Sequence, residues 1–292
     1  MKIAFLWEGV SYRWPDRTHD GLWAAIQILQ ERHQILCLEP DDERAIMAFA
    51  PDAILYWAPF TARTKNLVTQ YPFKKAICFA GGPIEPGNVD GFDLYFTESE
   101  INEIELALLG KPFMRAFGVN EQLYKPMEVP KRYTAAFAGS FALWKRPELF
   151  AKAVGKGGIW IGQKQPHETI AYEVCEQHGV ETRDELLSEE VPPILNAANC
   201  VLNTAGEWGG GQRLTLEAMA CNVPVIVMHD APKNKEFVEE SGCGLVCYAS
   251  VEAIKDMLPR AMALRQDSRA YVLSKWTAKH YADKLEYGLT QL

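Results

Sequence analysis

Residues 202–225 read LNTAGEWGGGQRLTLEAMACNVPV, and this is where side-chain types and spacing best fit chemistry. An apolar strand pattern ends near Asn203, glycines follow, and a helical pattern opens at Gln212 and Arg213. The free N–H groups at such a helix start, aided by the helix dipole, suit a phosphate. Gly210 and Gly211 let a ligand approach the backbone with no Cβ in the way. Arg213, in the first turn, can add a bidentate phosphate contact. Glu217 lies one turn deeper on the same face, where a carboxylate can take two ribose hydroxyls. The competing reading is a strand-to-helix turn whose glycines serve packing alone, with Glu217 on the surface.

Other polar candidates are dispersed. Glu8, His19, Asp20 and Glu85 occupy loop positions where a general base could sit, although Asp20 before Gly21 is also a natural N-cap. The loop between Trp7 and Trp23 carries Tyr12, Arg13 and Trp14, which suit stacking on a sugar ring or a base. Trp7 and Trp23 read as core. Six histidines are scattered without His-Glu-x-x-His spacing, and Cys243 and Cys247 have no second pair to complete a zinc site, so no metal is expected. The seven cysteines lie mostly inside apolar runs and read as buried free thiols.

The elements that must position these residues alternate from end to end as short β-rich runs and longer helical patterns, the pattern of parallel sheets built from βαβ units. Strands are expected at 2–7, 35–38, 53–57, 75–80 and 94–97, with helices at 21–32 and 43–49. A loop around Gly81, Gly82 and Pro83 follows the fourth strand. A second series has strands at 135–139, 159–162 and 200–203, with 224–228, 235–240 and 245–247 completing its sheet. Helices are expected at 146–154, 169–177, 192–197, 213–220, 251–264 and 268–289. Segment 117–130, rich in Pro and turn formers, marks a domain boundary.

The order of several blocks resembles the family 4-like (group 1) glycosyltransferases of the GT-B fold. Residues 216–225 are similar to the block LEAMACGxPV, with Asn222 in place of Gly. Gly118-Val119-Asn120, Tyr124 and Pro126 resemble the linker GVD…F.P. Residues 137–140 followed by Lys145, Arg146 and Leu149 resemble FVGR…KG…L. Residues 196–204 look like YAAADVFVLPS, and 235–246 like PEVVEDGxxGLLV. Trp276 and Tyr281 resemble the terminal W…Y helix. The likeness covers 118–292 well and is weaker before it, where residues 31–35 resemble RGHEV and 96–100 resemble TPSE.

The resemblance implies an α/β chain of two Rossmann-like domains facing each other across a cleft. Residues 1–117 would bind an acceptor, 118–273 a nucleotide-sugar, and 274–292 would form a helix crossing back to the first domain. It implies an enzyme that needs no cofactor beyond the nucleotide-sugar itself, with a UDP-sugar favoured and transfer with retention. Gly139, Ser140, Lys145, Gly210, Gly211, Gln212, Arg213, Leu214, Thr215 and Glu217 would hold the donor. Lys145, Glu207 and Glu217 would be the catalytic set; Tyr12, Arg13, Trp14, His19 and Glu85 would face the acceptor. The chain departs from the pattern in places. The earlier acid of the family falls on Gly209, with Glu207 two positions early. The Arg of GR is Ser140, leaving Lys145 and Arg213 for the diphosphate, and a histidine-bearing loop has become Gly81-Gly82-Pro83. Other readings stay open: a nucleotide-sugar epimerase of the same fold, a viral-type transferase acting on a DNA base, or a non-catalytic nucleotide-sugar binder.

Composition fits a globular chain: 292 residues, 48% hydrophobic and 23% charged. The net charge of −8 disfavours a nucleic-acid partner without excluding it, because 11 basic and 16 acidic side chains precede residue 118 and 19 and 22 follow. No run of about 20 apolar residues predicts a membrane span. The opening apolar run is cut by Glu8 with no small-residue cleavage site beyond, so a cytoplasmic location is expected.

Overall fold

In a computed structural model, the structure describes residues 1–10, 17–18, 20–58, 64–79, 84, 90–163, 169–184, 186–206 and 212–292. The chain divides into two compact units, one of Met1–Gly118 with Thr277–Leu292, the other of Val119–Trp276. Each unit is built on a six-stranded sheet in which every pair is parallel.

The first unit runs β1 (Lys2–Leu6), α1 (Gly21–Gln30), β2 (Gln34–Leu38), α2 (Glu43–Phe49), β3 (Ala53–Ala58), α3 (Lys65–Val68), β4 (Lys74–Phe79), β5 (Leu94–Thr97), α4 (Glu100–Leu108) and β6 (Phe113–Arg115). The strand order is β2-β1-β3-β4-β5-β6. β1 pairs with both β2 and β3, so Ile3 faces Ile35 on one side and Ala53 on the other. Ile3, Ala4, Phe5 and Leu6 are all fully buried, as expected of a parallel strand covered on both faces. Asp20 caps α1, its Oδ1 accepting from the Leu22 N–H at 2.9 Å.

The second unit runs β7 (Tyr133–Ala138), α5 (Pro147–Val154), β8 (Gly158–Ile161), α6 (Thr169–Gln177), β9 (Glu181–Arg183), α7 (Val191–Ala197), β10 (Ala198–Asn203), α8 (Gln212–Ala220), β11 (Val225–Met228), α9 (Pro232–Ser241), β12 (Leu245–Cys247), α10 (Val251–Ala263) and α11 (Ser268–Lys275). Its strands lie in the order β12-β11-β10-β7-β8-β9. This is the doubly wound Rossmann order, and the chain reverses direction across the sheet between β7 and β10. An aromatic cluster closes the core below β7 and β8: Phe137 stacks on Trp160 at 3.9 Å, and Phe150 meets Trp160 edge-on at 5.4 Å.

Two expected elements take another form, and α3, α4, β6 and β9 have no counterpart in the sequence expectation. Residues 235–240 are not part of the sheet but lie inside α9. Pro232 pre-sets the first turn, and Lys235 pairs with Glu239 at 3.2 Å one turn on, a spacing that suits a helix. The single helix expected over 268–289 is two, α11 and α12 (Ala278–Thr290). Thr277 adopts extended backbone and its side chain accepts from the His280 N–H, so a new N-cap interrupts the periodic pattern. α12 packs on α1 in the first unit. Gly288 there has Phe96 and Leu94 against its α-carbon, and Tyr281 packs on Phe117.

All seven cysteines are free thiols. Burial pushes Cys37, which is only partly buried, up to about 11, and the buried Cys175, Cys200 and Cys221 up to about 12, which disfavours the reactive thiolate.

Candidate active site

In an open α/β sheet, ligands sit outside the carboxyl ends of the strands at the switch point. In the second unit that point is framed by the connections leaving β7 and β10. The β7 connection starts at Gly139, whose N–H donates to the Ile161 carbonyl at 2.8 Å and whose carbonyl accepts from the Trp160 indole at 3.0 Å. Gly139 has φ +156°, and a Cβ there would meet Lys145 Nζ at 2.5 Å. The Lys145 ammonium therefore rests on the bare Gly139 α-carbon, 4.8 Å from the Trp144 ring centroid and 5.8 Å from that of Phe137. Ser140 lies between them in sequence, half-buried, and the Phe141 N–H beyond it donates to the Gln163 carbonyl at 3.0 Å.

The connection after β10 is tied to the same place. The Thr204 hydroxyl donates to the Lys145 carbonyl at 2.7 Å, and the Asn203 amide bridges to Thr215 at 3.1 Å and Asn234 at 3.2 Å. Thr215 is fully buried, and its hydroxyl donates to Asn234 Oδ1 at 3.1 Å. It joins α8 to β10 and α9 from inside the fold. Leu214 is buried beside it. Gln212, in the first turn of α8, is 1% exposed, and its Nε2 has no hydrogen-bond partner among the described residues.

Glu217 is not on the surface: it is 4% exposed, which removes the reading of a solvated helix residue. Arg213 lies one turn before it, with Nε 3.5 Å from Glu217 Oε1. Tyr124, from the segment before β7, is 1% exposed; burial first, then the nearby Glu217 charge, hold its hydroxyl well above the usual phenol range. Arg213, assigned to phosphate from the sequence, is 40% exposed beside the buried acid.

Two residues that the sequence did not single out complete the frame. Arg146 is left-handed at φ +57°, and its fork donates to Asp230 through Nη1 at 2.9 Å and Nη2 at 2.6 Å. That pairing holds the Asp230 carboxyl below its usual range. A Cβ on Gly206 would collide with the same guanidinium. Connections from β7, β10 and β11 thus converge on Arg146. The one available signal was its position, where the similar block carries the glycine of KG.

Glu207, Gly209, Gly210 and Gly211 lie outside the described residues, as do Tyr12, Arg13, Trp14, His19, Glu85 and the segment 81–83. Two remaining acids of the first unit are already engaged. Asp20 Oδ2 accepts from Arg17 at 2.6 Å while Oδ1 caps α1, and Glu8 Oε1 accepts from the Thr64 N–H and hydroxyl at 3.0 and 2.6 Å. The Arg17 guanidinium lies 5.0 Å from the Trp7 ring centroid and 5.3 Å from that of Trp57. Among the described residues no group of histidines, cysteines and acids could hold a metal ion, and no helix is long and apolar enough to cross a membrane.

Residues 132–263, which span the strands and helices of this site, match the family model of the glycosyl transferases group 1. The chain has the GT-B fold. Solved structures of this fold match along its whole length. Sucrose-phosphate synthase from Thermosynechococcus elongatus is 14% identical with a TM-score of 0.76, over 100% of this chain and 98% of that one. Anabaena HepE in complex with UDP-glucose is 15% identical with a TM-score of 0.72, over 100% of both chains. A UDP-GlcNAc 2-epimerase from Methanocaldococcus jannaschii, in complex with UDP-GlcNAc and UDP, is 11% identical with a TM-score of 0.66, again over 100% of both. No curated protein sequence matches the chain. At such identities the likeness is one of fold, and within the GT-B glycosyltransferases the substrates depend on side chains.

Proposed function

We propose that this chain is a glycosyltransferase that moves a sugar, with retention, from a nucleotide-sugar bound by residues 118–273 to an acceptor bound by residues 1–117, in the cytoplasm. The observation that carries this reading is the buried Glu217 on α8, the helix that follows the switch-point strand β10. A carboxylate withdrawn from water at that position, with Arg213 beside it, suits the two hydroxyls of a ribose. Gln212 adds a buried amide with no partner among the described residues, as expected where a ligand supplies the bond. UDP is the favoured nucleotide, because HepE, a structural relative, is described in complex with UDP-glucose.

In this reading the backbone amides opening α8 and that of Ser140 hold the diphosphate. Lys145 opposes the negative charge that grows there as the bond to the sugar breaks. Retention needs no protein base, since the departing phosphate can accept the acceptor's proton. The commitments of Asp20 to Leu22 and Arg17, and of Glu8 to Thr64, favour that route over an inverting one. Glu207 would touch the transferred sugar in place of the acid absent at Gly209.

The test is a thermal-shift screen against UDP-, GDP-, ADP- and TDP-sugars, followed by donor turnover with and without added acceptors. A bound donor at 100 times its Kd should stabilise the fold by about 2.7 kcal/mol. Turnover that requires an acceptor supports transfer. Consumption of a UDP-sugar to its epimer without one would favour the epimerase reading, and binding without turnover a non-catalytic role.

A further inference from the structure

We propose that Arg146 is a second cation for the donor diphosphate, filling the place that Ser140 leaves empty and held ready by Asp230. The inference rests on the nucleotide-sugar reading above and adds to it a residue from outside the expected donor set. Its basis is the convergence of three connections on one guanidinium. Arg146 belongs to the connection after β7, directly following Lys145; Gly206 belongs to the connection after β10; Asp230 follows β11. The guanidinium lies so close to Gly206 that Nη2, Cζ and Nε are the three nearest atoms to any Cβ added there. It therefore lies at the switch point, against the turn that leads into the helix start where phosphate is expected.

Arg213 is the other candidate for a second cation, and it sits one turn along α8 beside Glu217 instead. The backbone at Arg146 points the same way. A residue with a side chain seldom adopts φ +57°, and glycine would occupy this position without strain. An arginine kept here implies a task for its side chain. The end-on pair with Asp230 uses one N–H from each Nη, so Nε–H and the outer N–H of each Nη remain to donate to phosphate oxygens. Asp230 fixes the plane of the fork, which is what a bidentate oxyanion contact requires. The pair is open to a ligand: the Arg146 side chain is 31% exposed and that of Asp230 46%.

A structural strut would make the same ion pair, so the test must separate the two roles. Affinities of the whole protein for UDP and for uridine are measured by calorimetry in the parent, R146G, R146Q and R146K. A direct diphosphate contact predicts that R146G and R146Q lose about tenfold or more of UDP affinity while uridine binding changes by less than about twofold. R146K, which keeps a charge but not the fork, should retain part of the UDP affinity. R146Q answers the question if R146G folds poorly. A UDP-to-uridine affinity ratio equal to the parent's in R146G or R146Q overturns the inference and leaves the nucleotide-sugar reading standing. A parent protein that binds neither UDP nor any other nucleoside diphosphate overturns both.

Discussion

Arg213 Nε lies 3.5 Å from Glu217 Oε1, one turn along α8, and the acid of this pair is the buried member. A withdrawn carboxylate with a neighbouring guanidinium keeps its orientation, as a ribose acceptor needs. Replacing Glu217 with Gln removes a charged acceptor and should weaken nucleotide binding by about 1.5–3 kcal/mol. That corresponds to roughly tenfold to a hundredfold or more in Kd. Arg213→Ala should cost less, since that side chain is 40% exposed. Calorimetry with UDP decides: parent-like affinity in the Gln variant would remove Glu217 from the donor site.

Part of this arrangement was legible in the sequence. The glycine-rich turn between apolar β10 and helical α8 marks a switch-point site because glycine runs and helical periodicity are local properties. Thr169–Gln177 and Glu43–Phe49 are helices at the expected bounds for the same reason. Glu217's burial was not legible: α8 is buried nearly all round, so no polar face distinguished an inward acid from an outward one. Thr215 likewise reads as a residue near the ligand, yet its hydroxyl closes a buried network with Asn203 and Asn234, segments 12 and 19 residues away. The Arg146–Asp230 pair spans 84 residues and is created by sheet order alone. The three-residue edge strands β6 and β9 are too short to carry an alternation signal.

Asn222 shows how one departure from the similar block is accommodated. Its φ of +56° is the left-handed conformation that ends α8, where glycine is usual and asparagine is tolerated. The side chain adds a function that glycine lacks: Oδ1 accepts from the Ser268 N–H at 3.0 Å and its hydroxyl at 3.2 Å, joining the end of α8 to the start of α11. Asn222→Ala loses that acceptor and keeps the backbone strain, so a loss of about 1–3 kcal/mol is expected. Asn222→Gly loses the acceptor but relieves the strain, and should fall nearer the parent. Urea unfolding of the two variants checks the order; Ala at least as stable as Gly would contradict it.

The first unit carries a pH-dependent fastening of its last helix. Arg32 donates to Asp283 at 2.8 Å and Glu286 at 2.6 Å on α12. The Asp283 carboxyl is held below its ordinary value despite the opposing effect of burial, through Lys279 and Arg32; Glu286 is held low chiefly by Arg32. Carboxyls depressed in the folded state stabilise it above their unfolded values near 3.8 and 4.5, and that stabilisation is lost as pH falls through the lower folded values. These groups are partly exposed, so Arg32→Ala should cost no more than about 1 kcal/mol near neutral pH. The difference in urea midpoint between parent and variant should be present at pH 6 and shrink towards zero in acid below pH 3. A difference that persists there would show that Arg32 acts by packing.

Lys145 and Gly139 offer a matched pair of tests for how the diphosphate charge is met. Lys145→Ala removes the ammonium. If that charge opposes a negative charge growing only as the sugar departs, kcat should fall more than nucleotide affinity does. Unchanged kcat with a raised KM would mean that Lys145 contributes to ground-state binding alone. Gly139→Ala leaves the ammonium in the protein but puts a methyl where it rests, since the added Cβ would meet Nζ at 2.5 Å. The atom in the way is the far end of a flexible side chain, so Lys145 can swing aside at little cost in stability. Phe137 Cε1 stands at 3.0 Å, and a φ of +156° is one that residues with side chains rarely adopt, so a backbone cost of about 1–3 kcal/mol remains. The Ala variant should therefore melt below the parent by that backbone cost and, in its folded fraction, lose turnover with nucleotide affinity nearly intact. Combining the two changes separates displacement of Lys145 from any other effect of the methyl group. If Gly139 acts only by seating Lys145, the double variant should be no slower than Lys145→Ala. Rate losses that multiply would show that Gly139 serves the reaction independently, through the backbone turn that presents the Ser140 amide.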